Sequence, residues 1–270
     1  MSAPGGPAGE LIRGALDLHV HAGPGLFPRR GDGRELAGGC AAAGMAGALL
    51  KAHHGSTVQA AHLLSGEHPG LALYGGVTLN GFVGGLNPLA VEACLRTGGR
   101  AVWLPTVHAR HHGRVFGALG GFAPGQGPAL AGEGLSVLDD AGAPLGTLQE
   151  IAALLDGSPA LLCTGHLSPA EIFALQRHVL EHGRAVRLVV NHPFFRVPGL
   201  SVDQLRQLAG DRASTVFEVC YHTISPSGGG DAAAVARAML ALPGARWVLA
   251  SDSGQPHNPP APAALAALCE

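Results

Sequence analysis

The run Leu16-Asp17-Leu18-His19-Val20-His21 sets two histidines two residues apart at the end of an apolar stretch, which Gly23-Pro24 then interrupts. In an extended strand, residues i and i+2 face the same side, so Asp17, His19 and His21 share one face while Leu16, Leu18 and Val20 share the other. Two imidazoles facing one way are half of a divalent-metal site. Neutral imidazole is a good ligand for zinc and similar ions, and an open position on such an ion lowers the pKa of bound water to about 7. Asp17, of the same parity, is expected to accept the second ring N–H of a ligand histidine.

The same pattern, a polar residue closing a short apolar run, recurs along the chain. It gives Lys51 with His53 and His54, then Asn80, Thr106 with His108, His166, His192, Glu218 with His222, and Asp252. Packing alone does not explain histidine or carboxylate at so many of these ends. Lys51 is the only lysine in the protein. It has the parity of His53 and suits either of two roles, a carboxylated bridge between metals or a cation holding a substrate anion. The plain alternative is a buried stem with its head in water. His53, His108, His222 and Asn80 are candidates to line a substrate pocket. Arg29 and Arg30, in the loop after the first run, can reach a substrate carboxylate or phosphate; a solvated basic loop is the plain alternative. His111 and His112 fall outside the runs and are expected to face solvent. Cys163 and Cys220 fall inside apolar runs and read as small buried hydrophobes rather than nucleophiles. No GxSxG elbow accompanies the histidines.

The elements that must position these residues are short apolar runs beginning at Ala15, Gly47, Leu71, Ala101, Ala160, Val186, Ser214 and Arg246, separated by Ala/Leu-rich segments. Many of those segments start at Asn, Ser or Asp and end at Gly, as helices do. Strand-helix alternation with near-continuous apolar strands predicts an α/β fold with a parallel sheet. About eight such units in roughly 250 residues is the size of a (β/α)8 TIM barrel, regular or distorted, whose chemistry sits at the C-terminal strand ends. An open doubly wound sheet is the alternative, weakened by the lack of GxGxxG in the first turn. One domain spanning 1–270 fits this count. A Gly/Pro-rich insertion at about 108–146 follows the fourth strand, with a small hairpin turning at Asp140-Ala141-Gly142. Only about two helical turns remain after Asp252 and its Pro-rich loop, so a second subunit is a candidate to complete the outer layer in a homo-oligomer.

Composition narrows the partners. A formal charge of -2 over 270 residues offers no basic stripe for a nucleic-acid backbone. No apolar run approaches the ~18 residues of a membrane span. Five cysteines without CxxC spacing, and an N-terminus lacking an apolar leader segment, predict reduced thiols in the cytoplasm. The expected partner is a small-molecule substrate.

The order "DLHVH", "GH" at His166, "NH" at His192 and "SD" at Asp252 resembles the amidohydrolase superfamily of metal-dependent (β/α)8 hydrolases over almost the whole chain. "GGVTLNGFVGGLNP" and "VWLPTVHARHH" look like a poorly characterised branch of it. The resemblance implies that His19 and His21 bind one metal with Asp252. It implies that His166 and His192 bind a second metal, or that His192 orients substrate in a mononuclear site. Asp252 would also act as general base, its pKa held low beside a cation until it takes the proton. The implied ion is zinc, or manganese or iron, at one or two per chain. The implied reaction is hydrolysis of an amide, lactam, ester or similar small polar substrate. In one respect the chain departs from the pattern: where many binuclear members carry a bridging carboxylated lysine or glutamate at strand four, it has Thr106. A mononuclear decarboxylase or hydratase is the alternative that this departure favours. A phosphoesterase would need Arg29 and Arg30. A silent binding module is the remaining reading, against which stands the cost of burying several unpaired polar ligands.

Overall fold

The computed structural model describes residues 7–123, 125–210 and 215–270; Ser214, the expected first residue of the seventh strand, and the first six residues of the N-terminal segment lie outside them. The strands are β1 (Leu16–His21), β2 (Gly47–Lys51), β3 (Ala72–Tyr74), β4 (Gly76–Thr78), β5 (Ala101–Trp103), β6 (Leu161–Cys163), β7 (Arg187–Val190), β8 (Thr215–Cys220) and β9 (Arg246–Ala250). All paired neighbours are parallel. They form two sheets in sequential order, β1-β2-β3 and β4-β5-β6-β7-β8-β9. The chain therefore has a mixed α/β fold with parallel sheets.

The third apolar run is a single strand in the sequence and two in the structure. It breaks at Gly75, so that β3 pairs with β2 while β4 pairs with β5. The cause is close approach: a Cβ on Gly75 would lie 2.5 Å from the backbone of Thr57 and Val58, and one on Gly76 2.2 Å from Ala101 O. Thr57 fills the break. Its hydroxyl donates to Leu50 O (2.7 Å) and accepts from Gly76 N (3.0 Å), joining the end of β2 to the start of β4.

The outer edges of the two sheets also meet. His21 N donates to Ser253 O and Asp252 N to His19 O, each at 2.8 Å, and Val20 forms a parallel bridge with Ser253. Asp17 Oδ1 adds to this seam by accepting from His19 N (3.2 Å) and Ser251 N (3.0 Å).

A helix follows most strands, and several start where capping residues predict. Gly33–Ala42 is capped by Asp32 in a reciprocal box with Glu35, and Pro169–Glu181 by Ser168 with Glu171. Asn87 caps Pro88–Arg96 and Asp231 caps Ala232–Leu240. The outward faces of the strands and these helices enclose two apolar clusters. One includes Leu104, Leu148, Ile151, Leu162, Leu175 and Phe217; the other includes Val20, Cys40, Leu50, Leu64 and Leu265 from the last helix, Ala261–Cys269. A third, smaller cluster of Leu49, Ala101, Trp103, Cys163 and Val189 lies on the opposite faces of the same strands, as period-two alternation requires.

The segment between β5 and the helix Gly146–Leu155 opens with a further helix, Arg110–Phe116. The tight turn around Asp140 forms, with Asp139 N donating to Ala143 O at 2.9 Å. Among the described residues, no helix is long and apolar enough to cross a membrane.

Candidate metal centre

His19 and His21 project from the end of β1, and the residue after Ser251 brings Asp252 against them. Asp252 (φ 44°) and His192 (φ 29°) are the non-glycine residues with positive φ among those described. Backbone in this sparsely populated region costs energy and persists where the surroundings hold it. Both outliers carry chemistry-bearing side chains of one site.

Hydrogen bonds fix which nitrogen of each imidazole is free. His19 Nδ1 donates to Glu218 Oε2 at 3.0 Å, an oxygen that also accepts from Asn191 Nδ2 at 2.9 Å. The lone pair of His19 is thus on Nε2, 3.3 Å from Asp252 Oδ1. His21 Nδ1 donates to Lys51 O at 2.9 Å, leaving its Nε2 lone pair also 3.3 Å from Asp252 Oδ1. Two unprotonated nitrogens and a carboxylate oxygen repel one another unless positive charge lies against them; Lys51 Nζ, 3.0 Å from His19 Nε2, meets this need at one nitrogen and leaves His21 Nε2 and Asp252 Oδ1 facing each other at 3.3 Å. The donor set of His19, His21 and Asp252, with its ligand atoms all within 4.8 Å of one another, fits a divalent ion, and its outer partners orient the rings.

The lysine head is also here. Lys51 Nζ lies 3.0 Å from His19 Nε2 and 5.5 Å from the Trp103 ring centroid, fully buried. Burial pulls its pKa below the ordinary lysine value, against the pull of Asp252 and Glu218. A head reaching bulk water, the plain alternative for this residue, does not occur.

Across the site, His166 Nδ1 lies 2.8 Å from His112 Nδ1, and His112 Nε2 lies 2.8 Å from Gly121 O. The carbonyl can only accept, so His112 Nε2 carries the proton, His112 Nδ1 accepts from His166 Nδ1–H, and His166 Nε2 is a free lone pair. His192 stands between: its ring centroid is 6.1 Å from that of His19 and 5.3 Å from that of His166, and its buried Nδ1 has no hydrogen-bond partner among the described residues. Burial pushes His21, His53 and His166 well below the usual imidazole range and His192 and His112 down to about 4. These rings are therefore neutral near pH 7, the form that binds metal. Asp252 stays ionised: burial opposes this, but its neighbours His19, His21 and His222 hold its carboxyl well below the usual range.

A second trio of potential ligands, His19, Glu218 and Cys220, is a hydrogen-bond network instead. Cys220 Sγ donates to Glu218 Oε2 at 3.4 Å, and burial pushes the thiol well above its ordinary value. Burial works against ionised Glu218 too, yet His19, His192 and Asn191 bring it down to about 2. Glu218 is the carboxylate that orients His19. The expectation that Asp17 does so is corrected, because Asp17 Oδ1 takes backbone N–H groups of β1 and Ser251. The solvent-facing expectation for His112 is corrected as well, since it is fully buried.

A cavity of about 590 Å³ opens over the centre, lined by His21, Arg29, Lys51, His53, His166, His192, His222 and Asp252 among others. Three expected pocket residues lie elsewhere. Asn80 is buried with its amide fully used, donating to His53 O (2.9 Å) and Thr106 Oγ1 (2.8 Å) and accepting from Thr106 N (2.8 Å) and His108 N (3.2 Å). His108 Nδ1 accepts from Gly81 N at 3.0 Å. Arg30 is exposed and borders a neighbouring cavity with Asp32 and Glu35. Sequence reasoning placed Glu218 at the end of the seventh run without giving it a role, and placed His112 in solvent. The available signal for Glu218 was a carboxylate inside the apolar run "VFEVC", which needs a buried partner.

Fold and site together define an α/β protein with a histidine-carboxylate constellation at the C-terminal ends of parallel strands. Residues 14–216 match a family of unknown function, DUF6282, and the chain belongs to that family. Comparison with curated proteins finds no match. Among solved structures, the fold is similar to that of an amidohydrolase from Pseudomonas aeruginosa, with a TM-score of 0.57 and 14% identity over 93% of this chain and 78% of that one. An L-ribulose 3-epimerase structure aligns over 88% of this chain and 71% of its own, at a TM-score of 0.37 and 15% identity.

Proposed function

We propose that this protein is a metal-dependent hydrolase of the amidohydrolase kind, built on a closed (β/α)8 barrel and acting on a small polar substrate. Counting β3 and β4 as two halves of one strand gives eight, the hydrogen bonds between β1 and the end of β9 support closure, and the Trp103 cluster is suited to a barrel interior. The likeness to the Pseudomonas aeruginosa amidohydrolase agrees with this fold. The five cysteines are free thiols, which suits the reducing cytoplasm.

The observation that carries the reading is the convergence of His19 Nε2 and His21 Nε2 on Asp252 Oδ1, each at 3.3 Å, with the other nitrogen of each ring tied down. A divalent ion held there, zinc or else manganese or iron, supplies Lewis acidity that polarises a carbonyl and lowers the pKa of water. Asp252 is an ionised, buried carboxylate positioned to take a proton and return it to a leaving group. His192 and His166 offer unprotonated nitrogens to a second ion or to the substrate. Lys51 contributes positive charge beside His19 or, carboxylated, a bridging oxygen pair.

One observation favours the alternative of a single ion and a decarboxylase or hydratase. Thr106, at the strand end where a bridging carboxylate would stand, pairs with His53 Nδ1 at 2.9 Å and accepts from Asn80. Metal content per chain, by elemental mass spectrometry, tests both readings. We expect one or two equivalents in the wild type and near zero in His19→Ala/His21→Ala; two support the binuclear hydrolase and one the mononuclear alternative. Absence of metal after reconstitution would overturn the metalloenzyme reading.

A further inference from the structure

The wall of the cavity facing the metal centre is aromatic. Phe27, from the loop after β1, meets Phe122 at a centroid distance of 5.7 Å; Phe122 meets Phe116 at 5.3 Å, and Phe116 meets Phe195 at 6.3 Å. Four of the eight phenylalanines of the chain thus line one cavity. Two arginines lie against this wall, Arg29 with its guanidinium carbon 5.9 Å from the Phe27 centroid and Arg196 at 4.9 Å from that of Phe116. Neither forms an ion pair among the described residues, and Arg29 Nε is buried without a hydrogen-bond partner. The lining includes three permanent or basic cations, Arg29, Arg196 and Lys51, against a single carboxylate, Asp252.

Aromatic faces select flat apolar bodies by offset or edge-to-face contact. A desolvated guanidinium with an unpartnered Nε offers a donor to a planar carboxylate, and the charge of Asp252 acts on Arg29 without an ion pair between them. The metal centre lies at one side of the same cavity. We infer that the substrate of this site is an aryl carboxylate, its ring held by Phe27, Phe116, Phe122 and Phe195 and its carboxylate by Arg29. The inference deepens the hydrolase reading by naming the substrate class of its cavity, and it takes that reading as its basis.

Binding of benzoate, benzamide and acetate to the full chain, measured by calorimetry on metal-loaded and chelator-treated protein, tests it. Benzoate is expected to bind at least about tenfold more tightly than either other probe in both preparations. Arg29→Met is expected to weaken benzoate by about tenfold while leaving benzamide affinity and metal content unchanged. Phe122→Ala is expected to weaken benzoate and benzamide alike and to spare acetate. Wild-type protein that binds acetate as well as benzoate, or an Arg29→Met protein that binds benzoate like the wild type, would overturn the inference. A chain that takes up no metal and still prefers benzoate through Arg29 would sink the hydrolase reading and leave this one standing. A chain that binds metal and shows no aryl carboxylate preference would do the reverse.

Discussion

His166 and His112 decide where each other's proton sits, because the carbonyl of Gly121 at 2.8 Å from His112 leaves only one arrangement of N–H groups. His112→Phe keeps a flat ring in the buried space but removes the acceptor for His166 Nδ1–H. Loss of such an orienting partner lowers metal affinity by about 10- to 100-fold, which a metal titration with a competing chromophoric chelator would read; unchanged affinity would separate His166 from the ion. Asp17 carries the clearest pH signature. Burial raises its pKa from 3.8 to about 6, against the hydrogen bonds from Ser251 and His19. A folded-state value above the unfolded one means that the folded chain holds the proton more tightly. Its contribution to stability is therefore complete below about pH 4 and is lost as pH rises through about 6, a swing of about 3 kcal/mol. Asp17→Asn cannot ionise and so removes this swing, and the wild type loses stability relative to the variant as pH rises from 4 to 7. Urea denaturation of chelator-treated protein between pH 4 and 7 checks it, and equal pH slopes in both proteins would refute it. Parity marked Asp17 as inward-facing, yet parity does not say which group it meets. His112 was illegible for a related reason: its partner lies 54 positions away, on another strand end, and nothing local in "HARHHG" marks one ring as buried.

At the scale of elements, the apolar runs and their caps were readable because their causes are local. A buried strand must be apolar on both faces, and Asp32 with Glu35 or Ser168 with Glu171 is a capping box written within four residues. The break of the third run was not readable, because it comes from the backbone of Thr57 arriving against Gly75 from a different part of the chain. That approach makes Gly75 a steric requirement. Gly75→Ala places a methyl 2.5 Å from the backbone of Thr57 and Val58, and overpacking of this kind costs about 1–3 kcal/mol. For a chain of this size the melting temperature should fall by roughly 3–10 °C, with Thr57 no longer able to join β2 to β4. A variant that melts with the wild type would mean that the two strand ends are held by other contacts. The helix Arg110–Phe116 was likewise hidden in a Gly-rich insertion, and it is the element that turns His112 and Phe116 toward the cavity.

At the scale of the whole molecule, His19 and His21 lie near one end of the chain and Asp252 near the other, and folding alone brings these three within reach of one ion. Their order along the chain was legible, since each closes an apolar run. Their assembly was not, because it depends on the seam where His19 O accepts from Asp252 N and Ser253 O from His21 N, and no local pattern predicts that pairing. An ion that binds the assembled set and not the unfolded chain stabilises the folded state by mass action, about 2.7 kcal/mol when free ion stands at 100 times its Kd. In a chain of this length that corresponds to a rise in melting temperature of roughly 5–10 °C. Differential scanning calorimetry of chelator-treated protein, with and without added zinc, should show this rise in the wild type. His19→Ala/His21→Ala, which keeps the seam because those hydrogen bonds use only backbone atoms, should melt at one temperature in both conditions. A wild-type chain whose melting temperature ignores zinc, manganese and iron alike would point to the silent binding module, since a site assembled by the fold cannot bind an ion tightly without stabilising the fold in return.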